Sequence, residues 1–128
     1  MITKEIIRKY SNGFCDCLAF VLHKKTEKPI SLLIGYQRVG HGFEPLFESY
    51  LAHAFIRWNI DQGLDIKGIR SVSDIKKEFR HKTDRIEYIE FASIDQLFEQ
   101  TVGPRPVCYE EAKPFADHLL LEISKNPV

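Results

Sequence analysis

The amino-acid sequence predicts an α+β fold: a buried amino-terminal helix carrying a cysteine, a small antiparallel sheet packed on it, and additional helices towards the carboxyl end. Three observations carry this. Phe14, Cys15, Cys17, Leu18, Ala19, Phe20, Val21 and Leu22 are apolar all the way round a helical wheel, and a helix without a polar face must be surrounded by other elements. The middle of the chain holds short runs rich in Ile, Leu and Phe, bounded by Pro, Gly and Asn, which is how strands and hairpins read. Helical spacing returns only after those strands, so the order is helix, sheet, helices and not an alternation of strand and helix. At 128 residues a single domain over residues 1–128 is expected, because two cores would each be too small to hold together.

Thr3 to Tyr10 places Ile6, Ile7 and Tyr10 on one side of a short helix. Ser11-Asn12-Gly13 breaks it, since these residue types favour turns and caps. The apolar helix then runs from Phe14 to about His23-Lys24-Lys25, cations suited to the negative end of a helix dipole. Pro29 to Tyr36, PISLLIGY, reads as a strand. A glycine-containing loop with a helical turn is expected over Gln37 to Leu51. Strands follow at His53 to Trp58 and Leu64 to Ile69, separated by Asn-Ile-Asp-Gln-Gly, which has hairpin-turn chemistry. Ser71 to Lys82 spaces Val72, Ile75 and Phe79 along one helical face. Arg85 to Phe91 is a further strand. Ser93 and Gln96 form a capping-box pattern that opens a helix. The last helix covers Tyr109 to Ser124, with Pro114 limiting the regularity of its first turns.

Hydrophobic residues make up 44% of the chain and charged residues 28%, a globular balance and not a disordered one. Lys plus Arg and Asp plus Glu number 18 each, so the formal net charge is zero. Such a chain has no general attraction for nucleic acid or an anionic membrane. No apolar run approaches the ~18 residues of a membrane span, and MITKEIIRKYSNG lacks the continuous apolar stretch of a secretory signal. Three cysteines cannot form a complete disulfide framework. The expected compartment is the cytoplasm, although export by a route without a signal peptide leaves the same pattern.

The residues that carry chemistry are Cys15, His53 and Asp65. Cys15 stands where the apolar helix begins, two residues after Gly13. Unpaired amides and the positive dipole end at that position favour a thiolate. Gly13 has no side chain to obstruct a substrate carbonyl, and the Cys15 amide can help hold an oxyanion. A nucleophilic cysteine needs an imidazole from elsewhere in the fold and a third group to orient it. His53 heads His-Ala-Phe-Ile-Arg-Trp, and Asp65 lies on the returning strand. A turn centred near Asn59 puts Asp65 opposite His53. A turn at Asp61-Gln62-Gly63 instead sets His53 against Ile69 or Arg70, with Asp65 about 13 Å away at ~3.3 Å per residue. The scheme requires the sulfur and the imidazole not to face different sides of the sheet.

Gly-Phe-Cys-Asp-Cys-Leu-Ala-Phe-Val-Leu-His, a strand, and then His-Ala-Phe-Ile-Arg-Trp and Leu-Asp-Ile-Lys-Gly together resemble compact bacterial papain-like domains, a superfamily of cysteine hydrolases that includes cell-wall endopeptidases and transglutaminase-like enzymes. The resemblance covers Gly13 to Gly68. It implies Cys15 as nucleophile, His53 as general base and Asp65 as orienter, with acyl transfer or hydrolysis on an amide of a protein or peptide substrate. No cofactor is implied.

Several alternatives stand beside this reading. Cys17 competes with Cys15, but positions two apart lie on different helix faces, and Cys15 is nearer the helix start. Cys17 and Cys108 read as small buried hydrophobes. His41, in Gly-His-Gly, is a rival base; His81 and His118 fall on helix faces as solvated residues. Asn12 is a turn or cap residue before it is an oxyanion donor, and Trp58 belongs to the core. A C-x-C pair lacks the two-to-four-residue gap of structural zinc sites, and a Cys15–Cys17 redox pair would be strained. The loop from Gln37 to Ala52, with Gly40, Gly42, Phe43 and Phe47, is expected to border the cleft. A different class altogether is a catalytically inactive interaction domain of the same fold, an adaptor or a toxin-neutralising partner.

Overall fold

The computed structural model describes residues 2–40, 46–80 and 85–125. Over these residues the chain is α+β, with helices α1 (Lys4–Ser11), α2 (Cys15–Thr26), α3 (Val72–Arg80), α4 (Ile94–Glu99) and α5 (Pro106–Lys125), and strands β1 (Ile30–Val39), β2 (Leu46–Arg57), β3 (Gln62–Asp65), β4 (Gly68–Ser71) and β5 (Arg85–Ala92). The strands form one antiparallel sheet in the order β4-β3-β2-β1-β5.

Helix starts and stops follow local chemistry. The Thr3 side chain accepts from the Ile6 amide at the start of α1, and Ser93 and Gln96 close a reciprocal capping box at α4. Asn12 ends α1 with its side-chain amide donated to the Arg8 carbonyl at 3.0 Å, so its role is a cap. Glu27 stops α2 in a left-handed conformation, φ 60. Helix α5 begins at Pro106, three residues before the expected start (109 − 106), because proline suits the first helical position. It runs through Pro114 to Lys125.

Two stretches differ from the sequence expectation. Gln37–Leu51 is not loop and helical turn: β1 continues to Val39 and β2 begins at Leu46. Residues 46–49 are exposed, so no buried face imposes the alternation by which a strand is recognised. His41, Gly42 and Phe43 lie outside the described residues, as does His81. Leu64–Ile69 is not one strand but the tight hairpin between β3 and β4. Asp65 pairs with Gly68 across Ile66-Lys67, the Asp65 Oδ1 accepts from the Lys67 amide at 2.9 Å, and Gly68 has φ 94. An aspartate bonding the amide two residues on, followed by a glycine free to take positive φ, is turn chemistry.

Helix α2 is buried, as its all-apolar wheel requires. One face meets Ile30, Leu32, Ile34 and Ala54 of the sheet; Cys17, Leu18, Val21 and Leu22 pack with Tyr109, Ala112, Ala116 and Leu119 of α5 and with Tyr10 of α1. Burying Leu18, Val21 and Leu22 of this helix contributes on the order of 6 kcal/mol at ~2 kcal/mol each. On the opposite face of the sheet, Leu33 and Phe55 pack on Val72, Ile75 and Phe79 of α3. Cys17 and Cys108 are not two separate small hydrophobes: they form a disulfide joining α2 to α5, with Cα atoms 5.8 Å apart.

Candidate functional site

Cys15 is the free cysteine among the described residues. Its rival Cys17 is occupied by Cys108, which removes both the competing nucleophile and the Cys15–Cys17 redox pair. As the first residue of α2, Cys15 has no carbonyl one turn back within the helix to receive its amide. It is 4% exposed and lines a cleft of about 220 Å³ with Gly13, Asp16, Leu51, Gln100, Thr101, Val102 and Arg105. Gly13 has φ 89, and a Cβ there would meet nothing within 4 Å, so open space remains beside the helix start. Among the described residues of the Gln37–Ala52 segment, Leu51 borders this cleft; Phe47 lines a separate cavity with Tyr36, Arg38 and Arg85.

His53 and Asp65 meet. His53 Nε2 donates to Asp65 Oδ2 at 2.8 Å, with the residues 1% and 3% exposed. The hairpin register lies between the two foreseen: Ile56 faces Leu64 and Arg57 faces Gly63, which centres the turn on residue 60. Asp65 is then diagonal to His53 and not directly opposite, and long side chains bridge such diagonals.

The imidazole is held on several sides. Its ring stacks on Phe79 at 4.5 Å and lies 5.9 Å from Phe55. Nδ1 is buried without a hydrogen-bond partner. Because Nε2 is committed to Asp65, Nδ1 is the nitrogen left for Cys15. Burial alone would depress the ring's pKa, and it is the largest single influence. It is outweighed by the Asp65 hydrogen bond and by the influence of Cys15 and of the Asp65 charge, which raise His53 to about 9. The sulfur is thus close enough to favour the protonated ring, although Nδ1 itself meets no hydrogen-bond geometry. Catalytic contacts are often this loose before substrate binds.

Strand alternation by itself would separate the pair. His53 pairs with Leu33 and stands with Phe55 on the α3 face, whereas Cys15 packs with Ile30, Leu32 and Ala54 on the α2 face. Two irregularities let them interact. Ala52 is an unpaired extra residue, since Leu33 faces His53 while Ile34 faces Leu51. Such a bulge bends a strand and re-aims a neighbouring side chain. In addition, β3 pairs with β2 only at Ile56 and Arg57. The side of β2 next to His53 therefore carries no strand there.

Two supporting groups were not read from the sequence. Asp65 Oδ2 also accepts from Arg70 Nη2 at 2.5 Å, and Arg70 Nη1 and Lys67 Nζ bind Glu78 at 2.5 and 2.8 Å. Burial would raise the Asp65 pKa, but the bonds and charges of His53 and Arg70, with the Lys67 amide, hold it below the ordinary carboxylate value. Secondly, Arg105 Nη2 bonds the buried Asp16 carboxylate and the Gly13 carbonyl, the latter at 3.1 Å. No signal in either local sequence pointed to these partners. His118 is half-buried on α5, away from this cluster. Trp58 packs against the core. Among the described residues no group of three or more metal-ligating side chains gathers, and no helix is long and apolar enough to cross a membrane. Comparisons with family models, with curated proteins and with solved structures return no match.

Proposed function

We propose that this chain is a cysteine-dependent acyl-transfer enzyme of papain-like type, acting on an amide of a protein or peptide. The observation that carries the reading is the His53–Asp65 contact at 2.8 Å in a buried setting, with Nδ1 unengaged beside the free Cys15. An imidazole held at about 9 is basic enough to take a thiol proton, giving the thiolate–imidazolium pair such chemistry uses.

The Cys15 sulfur attacks the carbonyl carbon, and the C–S bond forms as the carbonyl oxygen becomes an anion held by the Cys15 amide. Collapse breaks the C–N bond, and His53 Nδ1 gives its proton to the leaving amine. Water or a second amine then attacks the thioester, passes a proton to His53, and releases the acyl product and the Cys15 thiolate, which restores the thiolate–imidazolium pair. Asp65 keeps the ring oriented and its positive form stable. Water as acceptor makes the protein a peptidase, amidase or deamidase; an amine makes it a transglutaminase.

The interaction-domain alternative draws on Leu46 and Phe47, exposed at 63% and 54%, large apolar groups with no catalytic task. The cytoplasmic setting expected from the sequence stands against the Cys17–Cys108 disulfide, a bond that persists in oxidising compartments; the redox state of that pair in whole cells distinguishes the two.

The functional test is selective labelling. Iodoacetamide at pH 7 is expected to modify Cys15 in the oxidised protein, and His53→Ala to slow this by at least about tenfold. A panel of glutamine and peptide-bond substrates should leave a mass-detectable acyl adduct on Cys15. Slow labelling unaffected by His53→Ala, with no adduct, returns the chain to the interaction-domain class.

A further inference from the structure

We infer that Arg105 is a positioning residue for the nucleophile: its guanidinium neutralises the buried Asp16 carboxylate beside Cys15 and pins the Gly13 carbonyl, so that the thiolate can form in the cleft. This rests on the acyl-transfer reading above.

Asp16 directly follows the nucleophile, is 3% exposed, and lines the same cleft. An acidic residue in a first helical turn normally complements the dipole. Here it sits next to a sulfur whose working form is itself an anion, and like charges in a poorly solvated site oppose one another. A buried carboxylate with no partner would also be costly in its own right. Arg105 answers both problems. One terminal nitrogen reaches Asp16 Oδ1 and the Gly13 carbonyl, while the guanidinium carbon lies 5.3 Å from the Phe14 ring centroid. A single side chain thus grips residues 13, 14 and 16 around Cys15. A planar fork that can bond two acceptors and lie over an aromatic ring is a task for arginine and not lysine.

The placement of Arg105 is itself fixed. Cys108, three residues further on (108 − 105), is joined to Cys17 in the first turn of α2. The disulfide therefore ties the segment bearing Arg105 to the helix bearing Cys15. Among the described residues, other charges around the sulfur are few. His53, backed by Asp65, faces it from β2. Lys9 of α1 lies over the Phe14 ring at 4.9 Å and pairs with Glu111 of α5 at 3.3 Å. The groups packed with Cys15 from β1, β5 and α4 are apolar: Ile30, Leu32, Ile34, Ala92 and Leu97. Arg105 is the cation bonded to Asp16.

The experiment follows iodoacetamide alkylation of Cys15 by mass spectrometry, from pH 5 to 9, in the oxidised 128-residue chain and in Arg105→Gln, Asp16→Asn and the double variant. Circular dichroism reports whether each is folded. Arg105→Gln is expected to slow alkylation about tenfold at pH 7 and to displace the whole profile upward, the size of one uncompensated neighbouring charge. The double variant is expected to return to within about threefold of wild type, because the charge needing compensation has gone. Asp16→Asn alone is expected to displace the profile downward. An unchanged profile in Arg105→Gln, or a double variant as slow as Arg105→Gln, overturns the inference. Should Arg105→Gln not fold, Asp16→Asn decides, and an unchanged or upward-displaced profile overturns it. Fast wild-type labelling that depends on His53 but not on Arg105 removes this inference alone; slow wild-type labelling removes the acyl-transfer reading with it.

Discussion

Replacing Asp65 by Asn keeps the side-chain shape and removes its charge, which makes it the sharpest probe of the buried His53 network. His53 is raised from 6.5 to about 9. At ~1.4 kcal/mol per pH unit this corresponds to about 3 kcal/mol of folding stability. Because the folded-state value is the higher one, that stability is fully present below about pH 6.5 and is lost as pH rises through about 9. Asp65 behaves in the opposite sense: its folded-state value is lowered, so its contribution is present above the ordinary carboxylate range and lost as pH falls. Wild type should therefore show a stability plateau between about pH 5 and 6.5 and a decline towards pH 10. Asp65 supplies two of the four influences that raise His53, the others coming from Cys15. Asp65→Asn should thus diminish that decline, and it weakens the acceptor for the Arg70 guanidinium and the Lys67 amide as well. A total loss of about 3 kcal/mol at pH 6 is expected for breaking a buried charged contact of this kind. Urea unfolding of the oxidised protein from pH 4 to 10 measures it, with a midpoint about 2 M lower for a slope of ~1.5 kcal/mol per M. An unchanged midpoint at pH 6, or an undiminished decline between pH 6.5 and 9, refutes the assignment of Asp65 as partner to a protonated His53.

Deleting Ala52 should abolish the alkylation advantage of Cys15, because it removes the bulge that re-aims His53 and leaves Leu51 and His53 as ordinary neighbours on opposite faces of a regular β2; reactivity retained at wild-type rate in a folded variant counts against the role of the bulge. Replacing Cys17 and Cys108 by Ala opens a link spanning 91 positions and is expected to cost about 4 kcal/mol, read as a lower thermal midpoint, while His53-dependent labelling of Cys15 at low temperature persists. Loss of that labelling in a folded variant would mean that the disulfide itself forms part of the chemistry.

The parts of the fold legible in sequence were those specified locally. The all-apolar wheel around Phe14–Leu22 identified a buried helix, the Ser93–Gln96 box opened α4, and three apolar positions one or two turns apart gave α3. What escaped was whatever depends on partners far along the chain. The long β1–β2 hairpin has exposed residues over 46–49, so periodicity had nothing to report there. The β3–β4 turn was hidden in Leu64–Ile69 because Ile66 and Ile69 look like strand residues. Its determinants are one side-chain bond from Asp65 and the positive φ of Gly68. The Cys17–Cys108 pairing and the Asp16–Arg105 contact bridge 91 and 89 positions, distances over which no spacing rule operates.

The candidate site sits where regular pairing fails, and this explains why its members could be named while their geometry could not. Alternation assigns His53 to one face of the sheet and Cys15 to the other, and an ideal β2 fully paired with β3 would keep them apart. An extra residue at Ala52, a partner strand that covers only Ile56 and Arg57, and a hairpin that turns immediately after Asp65 each break the sheet beside His53. Around them a free thiol, an imidazole and a carboxylate from three elements are buried. Irregularity of this kind weakens a sheet, because each lapse removes ladder bonds without adding apolar burial. Three lapses fall around one histidine, the group on which the proposed acyl-transfer reading rests.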